Sequence, residues 1–385
     1  MNTFVNPFGE FTLNRYPVQK DDQLRAWDAA DEYLLLHLTE KATLTETSNI
    51  LIVNDGFGAL TVSLATYKPD SISDSFLSHQ AILENAKINQ IDPTQITLGS
   101  TLQPLNKIYD VVLIKIPKNL AMLEDELFRI RKHCNENTII LAGAMTKHIH
   151  TSTLQLFDRI IGLTKSTLAR KKARLITSEY SPSLKPGNSP YPTEYENDTT
   201  GETYLNHANV FSREKLDIGS RFMLQHIPQS PNYKHILDLA CGNGVLGIAT
   251  AKSNPQAQVT FVDESFMAVE SAKHNVNHIL LSKDKFNTSQ FCHKVTDCLQ
   301  GIQNNSLDLI INNPPFHQQH VVGDFIARQM FKEAKDKLRP GGELWIVGNR
   351  HLGYHVRLKQ MFGNCQTIAG NQKFVILKAQ KNSPR

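Results

Sequence analysis

Early in the second half of the chain stands Asp238-Leu239-Ala240-Cys241-Gly242-Asn243-Gly244-Val245-Leu246-Gly247. This stretch joins a predicted strand, His235–Ala240, to a predicted helix, Val245–Ser253. A strand that enters a helix through a glycine turn is typical of α/β folds, and backbone without a Cβ lets a ligand approach closely. The stretch therefore predicts an α/β domain with a ligand at the turn.

Strands and helices alternate on the carboxyl-terminal side of this turn as well. Short β-branched and apolar runs predict strands, and longer amphipathic runs between them predict helices. The predicted strands are Val259–Asp263, Leu307–Asn312 and Leu344–Val347, and the predicted helices are Ser265–Asn277 and Phe325–Leu338. Such alternation requires crossover connections, so the sequence predicts a parallel sheet.

The first half of the chain repeats this order. Gly56-Phe57-Gly58-Ala59-Leu60 aligns with the glycine turn of the second half, and Asp110–Pro117 aligns with Asp308–Pro315. We interpret this as an internal duplication of one α/β domain. The alternative is that two unrelated α/β domains look alike at this level.

The domain boundary is predicted between the two copies. Residues 181–200 hold four prolines, which exclude a helix there: Pro182, Pro186, Pro190 and Pro192. We therefore predict a first domain at 1–180, a linker or extended excursion at 181–200 and a second domain at 201–385. A length of 385 residues agrees with two or three domains of about 150 residues each.

Composition excludes several classes of protein. The 41 basic residues exceed the 37 acidic ones by only four, so composition alone does not indicate a nucleic-acid-binding protein. Five cysteines without a C-x-x-C spacing predict neither a disulfide framework nor a metal site. The amino terminus resembles no secretory signal, and no apolar run approaches the ~20 residues of a membrane span. We expect a cytoplasmic protein without metal.

Two cofactors compete for the glycine turn. Gly242, Gly244 and Gly247 match G-x-G-x-x-G, and Asp263 follows about 20 residues later, as in nicotinamide dinucleotide sites. Asp238 favours a different ligand, since a buried carboxylate needs a cationic or amide partner and repels a pyrophosphate. The aminoacyl group of S-adenosylmethionine is such a partner.

We therefore predict a cofactor site at the carboxyl ends of several strands. Its predicted residues are Asp238, Gly242, Gly244, Asp263 and Asp297. Asp297 stands after a third strand, where it meets the adenine amino group or is simply a surface acid. The stretches 206–212 and 219–221 are further candidates for covering the cofactor.

The stretch Asn313-Pro314-Pro315-Phe316 follows the buried strand Leu307–Asn312. Its prolines hold the loop rigid and leave the Asn313 side-chain oxygen and the Pro314 carbonyl as two fixed acceptors. Two such acceptors suit an exocyclic NH2 group, and Phe316 offers a face on which a planar ring stacks. We predict Asn313, Pro314 and Phe316 as catalytic residues of methyl transfer to an amine; a rigid turn without a ligand is the alternative.

Six further stretches carry a resemblance over nearly the whole chain: Ala26–Leu35, Asn54–Leu60, Ile149–Leu154, His207–Ser212, Asn313–His320 and Asn349–Leu352. In these stretches the sequence is similar to the bacterial large-subunit ribosomal RNA guanine-N2 methyltransferases, the methyltransferase G family. The stretches in the first half distinguish it from the related, also duplicated, small-subunit methyltransferase C family.

The resemblance implies two tandem class I S-adenosylmethionine methyltransferase domains with a Rossmann-like α/β fold. The second would have a seven-stranded sheet with a reversed last strand, which fits a predicted hairpin of Cys365–Ala369 and Lys373–Leu377. The implied activity is methylation of the N2 amine of one guanine in 23S rRNA, on free rRNA before subunit assembly. Nothing in the sequence requires an oligomer, so we expect a monomer.

The first copy departs from this pattern. No acid aligns with Asp238, and Lys115-Ile116-Pro117-Lys118 replaces the Asn-Pro-Pro-Phe stretch. Our hypothesis is that the first domain is catalytically inactive and binds RNA. Its candidate phosphate contacts are Lys165, Arg170, Lys171, Lys172 and Arg174; the alternative is that these residues form a solvated basic face. In the second domain, Arg350 is a further candidate for contact with RNA.

Three other functions remain open from the residues. An Asn-Pro-Pro-Phe loop also serves methylation of a glutamine amide in a protein. The glycine turn alone would also serve a nicotinamide-dependent dehydrogenase. A non-catalytic RNA-binding protein is the third alternative.

Overall fold

A computed structural model describes residues 2–18, 23–283, 285–315 and 320–383, without the side chains of residues 283 and 320–324. The chain divides into two compact units, Met1–Tyr191 and Pro192–Arg385. The predicted boundaries at residues 180 and 201 lie on either side of this division. Each unit has its own seven-stranded mixed sheet and a small two-stranded hairpin.

The first unit alternates strands and helices along the chain. Its elements are β1 (Thr3–Asn6), β2 (Gly9–Thr12), α1 (Ala29–Lys41), β3 (Ile50–Val53), α2 (Ala59–Ser63), β4 (Asp70–Ser73), α3 (Phe76–Ile88), β5 (Thr97–Ser100), β6 (Val111–Lys115), α4 (Leu120–Arg131), β7 (Ile139–Met145), α5 (Thr151–Ile160), β8 (Thr164–Ser166) and β9 (Ala173–Ser178). The sheet has the strand order β5-β4-β3-β6-β7-β9-β8. Its β9 is antiparallel to both of its neighbours.

The second unit has the same architecture. Its elements are β10 (Thr193–Asn197), β11 (Glu202–Asn206), α6 (Ile218–Leu224), β12 (His235–Leu239), α7 (Val245–Ser253), β13 (Gln258–Asp263), α8 (Phe266–Ile279), β14 (Phe291–Val295), β15 (Leu307–Asn312), α9 (His320–Lys337), β16 (Leu338–Asn349), α10 (Tyr354–Phe362), β17 (Gln366–Gly370) and β18 (Phe374–Gln380). The strand order β14-β13-β12-β15-β16-β18-β17 is that of the first sheet. The antiparallel β18 is the predicted reversed last strand, so the predicted tandem α/β fold is confirmed.

Buried strands form the centre of each sheet. Every residue of β3 and of β15 is buried, as expected for parallel strands covered by helices on both faces. Successive side chains of a strand point to opposite faces, so Leu309 and Ile310 belong to different apolar cores of the second unit. One core contains α7 and α8 residues and the other contains α9 and α10 residues.

Side-chain hydrogen bonds hold the proline-rich stretch between the copies against the first unit. The guanidinium of Arg131 donates to the carbonyls of Ser181 and Leu184, both at 2.7 Å, and the Ser189 hydroxyl donates to the buried carboxylate of Asp125 at 2.6 Å. This part of the predicted linker therefore belongs to the first unit. Its remainder includes β10, which pairs with β11. The prolines excluded a helix correctly, but their pattern carries no information about these partners.

Two other elements differ from the sequence prediction. The strand predicted at Leu344–Val347 is part of the longer β16. Residues 339–342 of β16 interrupt its pairing with β15. Gly341 has a left-handed φ of 83° there, which accommodates the interruption. The helix predicted at Phe325–Leu338 is α9, which begins five residues earlier, at His320.

A fully buried asparagine holds the glycine turn of the second unit. The Asn275 side-chain amide donates to the carbonyls of Asn243 at 3.0 Å and Leu205 at 2.9 Å, and its oxygen accepts the Leu205 N–H at 2.8 Å. Asn243 lies in the glycine turn and Leu205 lies in β11. Asn275 thereby joins α8, the turn and the small hairpin.

The first unit repeats these three hydrogen bonds. The Asn85 amide donates to the carbonyls of Phe57 at 2.7 Å and Asn14 at 2.8 Å, and its oxygen accepts the Asn14 N–H at 2.8 Å. Phe57 lies in the first glycine turn, and Asn14 follows the first hairpin. The same side chain making the same three bonds in both units supports descent from one duplicated domain.

No helix among the described residues is long and apolar enough to cross a membrane. The five cysteines are free, and two of them, Cys134 and Cys241, are buried. In those parts of the chain, no group of three or more His, Cys, Asp or Glu side chains is arranged to hold a metal ion.

We predict that Asn275→Ala and Asn85→Ala lower the free energy of unfolding by similar amounts, about 1–3 kcal/mol each. Each substitution leaves buried backbone groups of a glycine turn without a partner. Denaturant unfolding measures the effect, and Asn137→Ala, at an exposed position, is the control expected within about 0.5 kcal/mol of the unchanged protein. Unchanged unfolding of both variants would show that these bonds do not hold the turns.

Candidate active site

The predicted site residues of the second unit meet at one edge of its sheet. The central β12 pairs in parallel with β13 on one side and with β15 on the other, and β14 lies beyond β13. Crossovers leave β12 in opposite directions, so a crevice opens outside the carboxyl ends of these strands. Asp263, Asp297 and Asn313 stand at or just beyond three of these ends, and the glycine turn stands at the fourth.

Gly242 leaves open space beside the backbone of the turn. Its φ is +54°, and a Cβ built on it would meet no atom within 4 Å. Gly244, at φ +84°, is instead packed, since its Cβ would lie 3.1 Å from that of Ala272. The turn is thus held against α8 while the backbone at Gly242 stays open to a ligand.

The third glycine of the stretch has a packing role. A Cβ on Gly247 would lie 2.3 Å from Cε1 of Phe261 and 2.8 Å from Oδ2 of Asp238. Both contacts are too short for any side chain, so α7 approaches β12 and β13 this closely only because residue 247 is glycine.

Asp238 is buried in β12, four residues before Gly242. It is 2 % exposed, and its Oδ2 accepts the Gly247 N–H at 2.7 Å. Burial raises the pKa of its carboxyl to about 7, although the Gly247 hydrogen bond opposes this, and the nearby Asp263 carboxylate adds to the rise. A carboxylate in this position favours a cation nearby, which agrees with its predicted partner.

Asp263 ties the end of β13 to the glycine turn. Its two oxygens accept the N–H groups of Gly242 at 3.0 Å and Ser265 at 3.1 Å. Burial raises the pKa of Asp263, against these hydrogen bonds. The side chain remains partly exposed at the crevice, where a ligand can reach it.

Asp297 follows β14 and is half-buried. The Gln329 side-chain amide donates to Oδ1 of Asp297 at 3.2 Å and to Oε1 of Glu333 at 2.9 Å. Helix α9 therefore fixes this carboxylate at the sheet edge. The position agrees with the predicted adenine contact.

Asn313 presents an acceptor without a partner. Its Nδ2 donates to Oδ2 of Asp217 and to Oγ of Ser220, both at 3.0 Å. Its Oδ1 is buried and has no hydrogen-bond partner among the residues that the structure describes. An unpaired buried acceptor is costly, and an N–H donor of a ligand would satisfy it. Pro314 beside it is buried, and Phe316 lies outside the described residues.

The sequence analysis missed Asp217, and it named Ser220 only within the stretch 219–221, as a candidate for covering the cofactor. Asp217 is the N-cap of α6, and Ser220 is the third residue of that helix. The sequence signals a helix start there, because Asp is a favoured N-cap residue. It gives no sign that the same carboxylate reaches Asn313, which is 96 residues away along the chain.

The first unit has a lysine where the second has Asn313. Val53 and Leu239 are the last residues of β3 and β12, the equivalent central strands of the two sheets. Val53 pairs with Ile114 and Leu239 pairs with Asn312, so the next residues, Lys115 and Asn313, correspond. The Lys115 ammonium contacts the carboxylates of Asp31 at 2.7 Å and Asp28 at 2.8 Å.

The two carboxylates keep this buried lysine charged. Burial alone would lower the pKa of Lys115, but Asp31 and Asp28 outweigh it and raise that pKa. Asp31 itself is fully buried, which raises its pKa to about 6. The first unit thus holds a donor where the second unit holds an acceptor.

In the first glycine turn, the side chain of Asp55 accepts backbone N–H groups at the start of α2. Asp55 is 1 % exposed and accepts the N–H groups of Gly58 at 3.0 Å, Leu60 at 3.0 Å and Thr61 at 2.8 Å. The Thr61 hydroxyl donates to the same carboxylate at 2.8 Å. The corresponding residue of the second unit is Cys241, and there the Gly242 N–H is accepted by Asp263 of β13 instead.

The predicted basic residues of the first unit lie on one hairpin. Lys165 is in β8 and Arg174 in β9, and the exposed turn between these strands carries Arg170, Lys171 and Lys172. Ala173 pairs with Met145, the last residue of β7, so the tip of this hairpin is at the carboxyl edge of the sheet. Arg174 is only partly exposed, and Lys171 forms a 2.7 Å ion pair with Glu32.

Arg350 occupies the carboxyl edge of the second sheet. It follows β16 directly and is exposed. Its Nη1 donates to the carbonyl of Asn371, at 3.0 Å, in the turn between β17 and β18. The side chain is therefore braced against this hairpin on the rim of the crevice.

The site fits a nucleoside that carries a cationic amino acid better than a dinucleotide. The backbone at Gly242 is open, and the carboxylates of Asp238 and Asp263 stand at neighbouring strand ends. Two buried carboxylates beside the turn repel a pyrophosphate and attract an ammonium group.

Comparison with known proteins agrees with this fold. Residues 1–182 match the RLMG N-terminal domain family, and residues 202–378 match the methyltransferase small domain family. The chain is 49 % identical over 377 residues to ribosomal RNA large subunit methyltransferase G of Serratia proteamaculans, covering 98 % of this chain and 97 % of that protein. It is 44 % identical over 384 residues to the protein of the same name from Streptomyces coelicolor, covering 98 % and 100 %.

A solved structure shares the whole architecture. The T. thermophilus 16S rRNA N2 methyltransferase RsmC, in complex with AdoMet and guanosine, matches with a TM-score of 0.73 and 17 % identity, covering 99 % of this chain and 97 % of that one. At this identity the likeness establishes the fold. The match to a methyltransferase family agrees with S-adenosyl-L-methionine as the predicted cofactor. By its identity to these relatives over nearly the full length, the chain belongs to the ribosomal RNA large subunit methyltransferase G family.

Proposed function

We propose that the chain transfers the methyl group of S-adenosyl-L-methionine to the exocyclic N2 amine of one guanine in 23S rRNA, using the second unit. The unpaired Oδ1 of Asn313 carries this proposal, since an aromatic amine needs fixed acceptors for its hydrogens. The names of the relatives support an RNA of the large ribosomal subunit. RsmC, which shares the fold, is named for N2 methylation and has bound guanosine.

The residues of the chain supply positioning and electrostatic stabilisation. The cofactor, when bound, supplies an electrophilic methyl group on a sulfonium. Asn313 Oδ1 and the Pro314 carbonyl accept the two N–H groups of the amine, which turns its lone pair toward the methyl group and stabilises the positive charge that develops. The target base leaves its stack to enter the crevice, and Phe316 provides the face on which it packs.

The cofactor is held along the carboxyl edge of the second sheet. Asp238 faces its ammonium group, and Asp263 accepts hydrogen bonds from the ribose hydroxyls. Gly242 and Gly244 form the turn over which it lies, and Asp297 meets the adenine amino group. The positions of these five residues at adjoining strand ends support the assignment.

The first unit contributes RNA binding without catalysis. In this unit Asp55 accepts N–H groups at the start of α2, and Lys115 replaces the acceptor, so it has no catalytic amide. The basic hairpin around Lys171 offers charges to phosphates at the carboxyl edge of its sheet. We expect the protein to act as a monomer, in the cytoplasm, on 23S rRNA not yet assembled into a subunit.

Transfer of label from S-adenosyl-L-methionine tests the function. Purified protein is incubated with free 23S rRNA, free 16S rRNA, assembled large subunits or a release factor, which presents a glutamine amide. We expect N2-methylguanosine, identified by mass spectrometry after nuclease digestion, in free 23S rRNA alone. Label confined to the release factor would replace the RNA substrate with a protein glutamine, and label in assembled subunits alone would overturn the assembly stage.

We predict that Asn313→Ala lowers kcat about 100- to 1000-fold, the usual cost of removing one charge-stabilising group. Cofactor affinity, measured by calorimetry, should change little because Asn313 faces the amine. Asn304→Ala, at an exposed position of the same unit, is the control and should keep full activity. A variant at 313 with wild-type kcat would remove this residue from the mechanism.

We predict that cofactor affinity increases about tenfold between roughly pH 5.5 and pH 7. Burial holds the pKa of Asp238 at about 7, above its unfolded value, so the free protein favours the neutral carboxyl below that pH. An ammonium group binds the ionised form, so protons compete with the cofactor. Asp238→Asn should bind more weakly and without this pH dependence, as measured by calorimetry; an identical pH profile in this variant would exclude Asp238 as the partner.

We predict that Lys171→Glu combined with Lys172→Glu weakens binding to 23S rRNA and reduces the slope of log K against log salt by about one to two, since fewer counterions are released. The control is Lys68→Glu with Lys132→Glu, two exposed lysines near the opposite, amino edge of the same sheet. Filter binding at several salt concentrations measures both. Equal slopes in the two double variants would show that the hairpin does not contact phosphates.

A further inference from the structure

We propose that Asp217 and Ser220 are positioning residues that determine which way the carboxamide of Asn313 faces. The inference rests on the proposed function, because its consequence is an oxygen presented to the target amine. Asp217 and Ser220 do not touch the reacting atoms in this scheme. They act through Asn313.

The chemistry of a carboxylate fixes the orientation of the amide. An ionised carboxylate only accepts hydrogen bonds, so the group that Asn313 turns toward Oδ2 of Asp217 must be its NH2, at 3.0 Å. The Ser220 hydroxyl accepts the second N–H, also at 3.0 Å. A flipped amide would lose the Asp217 bond and set two oxygens against each other. Oδ1 of Asn313 is therefore held on the opposite side, where no described residue pairs with it.

Asp217 is itself fixed by the local backbone. Its Oδ2 also accepts the Ser220 N–H, at 2.8 Å, as the N-cap of α6. Gly219 makes room for the arrangement, because a Cβ there would lie 3.0 Å from Oδ2 of Asp217 and 3.6 Å from Oδ1 of Asn313. The carboxylate and the amide therefore have little freedom to move apart.

The first unit contains the same arrangement with different residues. Asp28 and Asp31 are the N-cap and third residue of α1, as Asp217 and Ser220 are of α6. Both contact Lys115, which corresponds to Asn313 in the sheet register. Contact between these two helix positions and the register position of Lys115 and Asn313 is thus a property of the fold. In the second unit the held residue is an amide, which keeps a free acceptor.

A negative charge on this side also strengthens the acceptor. Donation from an amide NH2 to a carboxylate polarises the amide and increases the electron density on its oxygen. An oxygen already aimed and polarised before the amine arrives stabilises developing positive charge without reorganisation. Asp217 thereby connects the start of α6 to the rate of methyl transfer.

Asp217→Asn separates this role from helix capping. Asn is as good an N-cap residue as Asp, so α6 is retained, but its amide both donates and accepts and no longer selects one orientation of Asn313. We expect kcat on 23S rRNA to fall about 10- to 100-fold, while the KM for RNA and the Kd of the cofactor change less than about twofold. Asp28→Asn, the same substitution at the equivalent cap, is the matched control and should retain kcat.

Coupling to Asn313 distinguishes positioning from a general structural defect. In single-turnover reactions, Asp217→Asn added to Asn313→Ala should lower the residual rate no further, because the group that it orients is already gone. Ser220→Ala keeps the carboxylate and should lower kcat only a few-fold. A kcat within twofold of wild type for Asp217→Asn, or rate losses that multiply in the double variant, would overturn the proposal.

A readout in the free protein keeps the proposal testable without turnover. With selectively labelled asparagine, the side-chain NH2 protons of Asn313 should resonate as two distinct, exchange-protected signals in the wild type and lose protection in Asp217→Asn. Unchanged signals in the variant would overturn the orientation. If wild-type protein transfers no methyl group to rRNA, the proposed function fails, and these signals still decide the orientation separately.

Discussion

The parallel pairing of β12 with β13 and with β15 is the constraint on which the second unit depends. Parallel strands end at the same edge of a sheet, so residues distant in sequence meet wherever neighbouring strands stop. This brings the turn at Gly242, the carboxylate of Asp263 and the amide of Asn313 to one crevice. Close approach of α7 to the sheet, which Gly247 permits, then places the backbone N–H of that residue on the Asp238 carboxylate.

The two units show how one architecture supports different sites. Both keep the strand order and the buried asparagine that secures the glycine turn, Asn85 in one and Asn275 in the other. They differ in how they use carboxylates. Asp55 accepts N–H groups at the start of α2, whereas Asp238 stands behind the second turn and accepts the Gly247 N–H.

Lys115 and Asn313, which share one register position in the two sheets, also differ between the units. Lys115 directs an ammonium into two carboxylates, and all of its hydrogen-bonding capacity is donation. Asn313 has both functions, so donation to Asp217 leaves its oxygen for another partner. Two changes in side-chain chemistry, from Lys115 to Asn313 and from Asp31 to Ser220, thus separate a closed ion-pair cluster from a site that offers an acceptor.

The sequence by itself determined the α/β class, the duplication and the position of most central strands, because glycine turns and buried apolar runs are local patterns. Val245–Ser253 and Leu307–Asn312 were predicted with the bounds that the structure has. The predicted cofactor residues and Asn313 fall at adjoining strand ends for the same reason. Only the tertiary structure decided how Asn313 is oriented and how Arg131 holds residues 181–184. Each of these depends on a side chain reaching a partner tens of residues away, and such a contact leaves no periodic or compositional trace along the chain.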